Sequence, residues 1–126
     1  MAIRRIGLVV NDGKSEALEA AGIVRAWGRE HNVPCTDVDV WEDLDGSAGM
    51  IDRQKAACAG VPDLIVTIGG DGTLLRGVRV AASVDALVLG VNLGRVGFLT
   101  EVGVADLHDA LDAVHAGLPK LTNGSP

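Results

Sequence analysis

The sequence predicts an α/β domain of three layers, a mainly parallel sheet with helices on both faces. Three observations predict it. First, Ile6-Gly7-Leu8-Val9-Val10, Leu64-Ile65-Val66-Thr67-Ile68 and Ala86-Leu87-Val88-Leu89-Gly90-Val91 are apolar runs without polar alternation. Such runs read as strands covered on both faces. Second, helix-length segments separate them, and strands that alternate with helices pair in parallel. Third, Gly, Asn and Asp cluster just after these runs, at the strand ends where such sheets gather ligands.

The first strand, residues 6–10, stops at Asn11-Asp12-Gly13, a strong turn signal. A helix is expected over residues 15–31, with Ser15 as N-cap and Glu16 and Glu19 in the first turns. Ala20, Ile23, Val24 and Trp27 fall at i, i+3, i+4 and i+7, which makes one buried stripe. Glu19, Arg25, Arg29 and Glu30 take the wet side, and Asn32-Val33-Pro34 ends the helix. Asp37-Val38-Asp39-Val40-Trp41 alternates and reads as a half-exposed edge strand. Residues 42–49 read as an acidic loop. Glu42, Asp43 and Asp45 there suit solvation better than metal binding, since nothing beside them has ligand spacing. Residues 51–59 read as a short helix or irregular link. The strand at 64–68 leads into a helix over 73–82, and the strand at 86–91 leads into a second Gly-containing loop. A last helix spans 106–115, with Leu107, Leu111 and Val114 on one face, and Gly117-Leu118-Pro119 stops it.

The chain has 126 residues, one domain's worth, with 48% apolar residues to fill a modest core. A net charge of −6 argues against nonspecific nucleic-acid or anionic-membrane binding. Trp27, Trp41 and Phe98 are the aromatics, too few for base-stacking platforms. Cys35 and Cys58 make neither a disulfide framework nor a metal spacing and suit a reducing, cytoplasmic setting. The N-terminal apolar run is too short for a signal peptide or a membrane span. His31, His108 and His115 are scattered on helices and read as surface or boundary residues. Neither a P-loop nor a Gly-x-Gly-x-x-Gly fingerprint is present.

The chemistry concentrates at Gly69-Gly70-Asp71-Gly72-Thr73, between a strand and a helix. Its glycines allow positive φ and close backbone approach to a ligand. The following helix directs N–H groups and its positive dipole end into the turn, which suits phosphate. A phosphate cradle has no need of a carboxylate. Asp71 therefore suggests a base toward a hydroxyl or a metal ligand near phosphates, or else a helix cap, a role also open to Thr73. Arg76, Arg79 and Arg95 are candidate phosphate contacts, with the loop residue Arg95 preferred.

Gly69-Gly70-Asp71-Gly72-Thr73 resembles the signature shared by NAD kinases, diacylglycerol-type lipid kinases and phosphofructokinases. Gly90-Val91-Asn92-Leu93-Gly94-Arg95-Val96-Gly97-Phe98-Leu99, at the expected distance downstream, is similar to the matching segment of bacterial NAD kinases. The two together make the resemblance specific over residues 3–117. It implies transfer of a phosphoryl group from ATP with Mg²⁺, or from polyphosphate, to the 2′-hydroxyl of NAD. It implies that Asp71 activates that hydroxyl and that Gly70 and Gly72 admit phosphate. Leu75 and Phe98 would border the adenine. Thr73, Arg76, Asn92 and Arg95 complete the expected binding residues. No metal ligand is assigned among the side chains.

The family continues into a β-rich domain that completes the site and supports a dimer or tetramer. Nothing after Gly117 resembles that domain, and residues 118–126 read as a polar, frayed tail. The expectation is therefore a fragment of a cytoplasmic homo-oligomeric enzyme. The alternatives are a stand-alone nucleotide-binding or interaction module and, more weakly, a lipid kinase domain. Residues 92–99 and the lack of a membrane-binding face argue against the lipid kinase.

Overall fold

The computed structural model describes residues 3–11, 15–38, 60–92 and 101–116, with Asp71, Asn92, Glu101 and Val102 described by their backbone alone. Five strands form one parallel sheet: β1 (Ile6–Val10), β2 (Cys35–Asp37), β3 (Leu64–Gly69), β4 (Leu87–Asn92) and β5 (Glu101–Val102). Their order is β2-β1-β3-β4-β5. The helices are α1 (Ser15–His31), α2 (Asp71–Ser83) and α3 (Leu107–His115), the last entered through a 3₁₀ turn at Val104–Asp106.

The side-chain alternation of each strand divides the core into two halves. Ile6, Leu8, Leu64, Val66, Ile68, Leu89 and Val91 face α1 and α3, where they meet Ala20, Val24, Trp27, Leu107 and Leu111. Val9 and Ile65 face the other way and pack with Val80 and Ala81 of α2. This is the expected three-layer arrangement, because a parallel sheet must be covered on both sides. The Ala20–Val24–Trp27 stripe is fully buried, and Ile23 borders it half-buried.

The helix ends are specified locally. Asn32 adopts φ 57°, its N–H donates to the Arg29 carbonyl, and the Val33 N–H donates to the Gly28 carbonyl at 2.7 Å. This left-handed stop satisfies the last carbonyls of α1. Asp85 at φ 58° ends α2 the same way, with the Ala86 N–H on the Ala81 carbonyl at 2.9 Å. At the other edge of the sheet, the Asp63 carboxylate accepts the N–H groups of Arg4 and Arg5 and fixes the entry to β1.

Four details differ from the sequence reading. Helix α1 begins at Ser15 itself, which is therefore its first residue and not its cap. The edge strand begins at Cys35, two residues before the alternation suggested, with Cys35, Thr36 and Asp37 in register with β1, while Asp39, Val40 and Trp41 lie outside the described residues. The fifth strand, Glu101–Val102, was not anticipated, since two residues carry no periodicity. Helix α2 begins at Asp71 and not at Thr73. The acidic loop at 42–49, the link at 51–59, Cys58 and the tail lie outside the described residues.

Candidate active-site turn

The chain runs from β1 outward to β2 and then returns to β3 on the other side of β1. That reversal leaves a crevice at the carboxyl ends of β1 and β3, where open α/β sheets bind ligands. The β3–α2 turn stands there. Asn11 follows β1, and its N–H donates to the Ile68 carbonyl at 3.0 Å. Asn92 ends β4 directly opposite Gly69 in the register. Asn11, the Gly69–Thr73 turn and Asn92 are thus gathered at one sheet edge, as the sequence led us to expect. Residues 12–13 and 93–98, including Arg95 and Phe98, lie outside the described residues.

The glycines of the turn divide into two kinds. Gly69 is held by its neighbours: at φ +157°, a Cβ there would lie 2.5 Å from Thr73 Oγ1 and 3.1 Å from Asn11 Cβ. At Gly70 and Gly72 no described residue comes within 4 Å of the position a Cβ would take. The expectation that all three supply positive φ is corrected. Gly70 has φ −105° and Gly72 is helical, so among these three only Gly69 needs an unusual backbone.

Gly70 is the N-cap of α2, and its carbonyl accepts the Leu74 N–H at 3.0 Å. Asp71, Gly72 and Thr73 are then the first three residues of the helix, and their N–H groups have no acceptor within it. The N-cap position is held by Gly70 and not by Asp71 or Thr73, which lie inside the helix. Thr73 instead turns inward, 3% exposed, against Gly69. Leu75 is 64% exposed one turn further on, and Arg76 and Arg79 are exposed on the same helix. N–H groups without an acceptor inside the helix and the positive dipole end suit an anion of phosphate size at this turn.

The histidines lie elsewhere. His31 stacks on Trp27 with ring centroids 4.1 Å apart, and His115 meets the same ring edge-on at 5.1 Å. His115 Nδ1 accepts the N–H of Ile3, ahead of β1, so this cluster belongs to the opposite edge of the sheet. His108 is exposed beside Asp112. Cys35 is half-buried between α1 and β2, and burial pushes its thiol above the usual value, against the opposing pull of Arg25 and Arg29. No helix among the described residues is long and apolar enough to cross a membrane.

Gly77 and Thr67, which the sequence did not single out, meet where α2 lies on β3. The available signal was an isolated glycine inside a helix, which usually marks a close packing contact.

The model of the ATP-NAD kinase N-terminal domain family matches residues 6–118. NAD kinase 1 of Streptomyces coelicolor is 56% identical over 117 residues, covering 93% of this chain and 31% of that protein. NAD kinase 1 of Streptomyces avermitilis is 56% identical over 114 residues, covering 90% and 31%. The NAD kinase of Heliobacterium modesticaldum is 44% identical over 115 residues, covering 89% and 39%. The chain thus spans about a third of the length of the curated relatives it matches.

Proposed function

The chain belongs to the ATP-NAD kinase family, whose N-terminal domain it matches, and on that footing we propose that it supplies the phosphoryl-transfer turn of an NAD kinase. The reaction moves the γ-phosphoryl group of ATP, or a phosphoryl group of polyphosphate, to the 2′-hydroxyl of NAD. The full-length protein acts as a cytoplasmic homo-oligomer. The observation that carries this reading is the division of the turn at the N-terminus of α2 beside β1: Gly69 is packed tight, and no described residue comes within 4 Å of a Cβ at Gly70 or Gly72.

The roles follow from the chemistry. The 2′-oxygen attacks the γ-phosphorus, the bond to the departing ADP breaks, and the hydroxyl proton passes to the Asp71 carboxylate. The transition state is loose, so the turn works through placement and neutralisation of charge. N–H groups at Gly70, Gly72 and Thr73 hold phosphate oxygens. Mg²⁺ enters as part of the ATP substrate and carries much of the compensating charge. Leu75, exposed at 64%, offers apolar surface to the adenine of NAD, with Phe98 as its partner. Arg76, Asn92 and Arg95 complete the contacts.

The test is Asp71→Asn in the full-length gene product, assayed for NADP formation from NAD and ATP. A fall of roughly 10²-fold or more in kcat with an unchanged melting temperature is expected for loss of the base. Near-normal turnover would sink the role. Diacylglycerol offered in place of NAD discriminates the lipid-kinase alternative and is expected to go unphosphorylated.

A further inference from the structure

Helix α2 is set on β3 by two contacts of the same kind. Thr73 on the helix fits over Gly69 on the strand, and Thr67 on the strand fits against Gly77 on the helix. A Cβ on Gly69 would stand 2.5 Å from Thr73 Oγ1, and a Cβ on Gly77 would stand 2.1 Å from Thr67 Cγ2. Both threonines are buried, Thr67 at 2% and Thr73 at 3% exposure. The spacing matches: two strand residues span about 6.6 Å, and four helical residues rise about 6 Å. Thr67 and Gly69 therefore share one face of β3, Thr73 and Gly77 share one face of α2, and the pairs meet in step along elements running in opposite directions. Glycine is a poor helix former, so Gly77 costs the helix stability that only the close approach to Thr67 explains.

We infer that Thr67 and Gly77 are positioning residues: their contact sets the height of α2 above β3, and so the place of Gly70, Asp71 and Gly72 at its N-terminus. The Gly69–Thr73 contact alone leaves the helix free to tilt about its first turn. The second contact, one turn along, removes that freedom. Val80 and Ala81 then continue the seat into the apolar core beside Ile65 and Val9. The catalytic consequence rests on the phosphoryl-transfer reading above, because a displacement of about 1 Å at such a turn costs orders of magnitude in rate.

The experiment compares Gly77→Ala, Thr67→Ser and the double variant in the full-length gene product. NADP formation is measured well below each melting temperature. Gly22→Ala, at an exposed helical glycine with nothing within 4 Å, is the control. Gly77→Ala is expected to lower kcat at least tenfold with KM for NAD within twofold. Thr67→Ser removes the clashing methyl, and in the double variant it restores kcat to within threefold. Gly22→Ala leaves kcat unchanged. A Gly77→Ala enzyme with kcat within twofold of the parent overturns the inference, as does a double variant that remains slow. If Gly77→Ala alone does not fold, the folded double variant decides on the same criterion. An unmodified full-length protein without NAD kinase activity refutes the reaction and leaves the seat to crystallography. The Gly77→Ala structure must then show the start of α2 lifted from β3 by about an ångström, and an unmoved helix overturns the seat.

Discussion

Replacing Gly69 by alanine places a methyl group in the tightest part of the turn. The new Cβ would lie 2.5 Å from Thr73 Oγ1, 3.0 Å from Thr73 Cβ and 3.1 Å from Asn11 Cβ. Ordinary contacts need 3.4 Å or more, so the turn must open toward α2 by about an ångström and toward β1 by a few tenths of one. Overpacking of this kind costs about 1–3 kcal/mol. Holding an L-residue at φ +157° adds about 1 kcal/mol or more. Together Gly69→Ala should destabilise the fold by about 2–4 kcal/mol. The assay is urea denaturation followed by circular dichroism, with the slope checked for two-state behaviour. Thr73→Ala in the Gly69→Ala background removes the closest contact and should recover part of the loss. A destabilisation below about 0.5 kcal/mol, within the range of ordinary surface substitutions, would refute the claim that Gly69 is packed between Asn11 and Thr73.

Trp27 and Cys35 supply the further expected outcomes. Trp27 is fully buried and its indole N–H donates to Asp112 Oδ1 at 2.8 Å. Trp27→Phe should cost about 2 kcal/mol, from lost ring volume and a hydrogen bond discounted for the half-exposed carboxylate. Asp112→Asn keeps an oxygen acceptor and should cost much less, as read for both variants by denaturant melts followed by circular dichroism. Cys35 has its thiol pushed up by burial, so in a Cys58→Ser background it should alkylate more slowly at neutral pH than an unburied thiol. Folding favours its protonated form. That stabilisation is complete below the ordinary value of 9.0 and is lost as pH rises through the higher folded-state value. Stability measured against a Cys35→Ala variant should therefore decline above about pH 9, and a flat difference would show that burial does not control the thiol.

Much of the fold was legible because the apolar pattern and the turn residues agreed. Strand β1 and helix α1 fall on the predicted residues, since a run of covered β-branched residues and a 3.6-residue stripe ending at Asn32 each leave little choice. The start of β2 was placed two residues late, because its pairing with β1 carries no local signal. The polar-apolar phase was nevertheless right: Asp37 is exposed and Val38 buried. The start of α2 was hidden by composition. Asp71 and Gly72 have low helix propensity, and they are helical because Thr73, Gly77, Val80 and Ala81 fasten the helix to the sheet. For the candidate site, the gathering of Asn11, the Gly69–Thr73 turn and Asn92 followed from parallel pairing alone. The different tasks of Gly69 and Gly70 did not, because they rest on distances across the sheet that no local pattern encodes.

The proposed reaction at this turn is transfer to the ribose 2′-hydroxyl of NAD. The most direct measurement supplies the full-length gene product with NAD, ATP and Mg²⁺ and reads the product with a dehydrogenase specific for the 2′-phosphorylated cofactor. NADP is expected to form in step with ADP. Release of ADP without NADP, or phosphate carried to another acceptor while NAD stays unchanged, would contradict it.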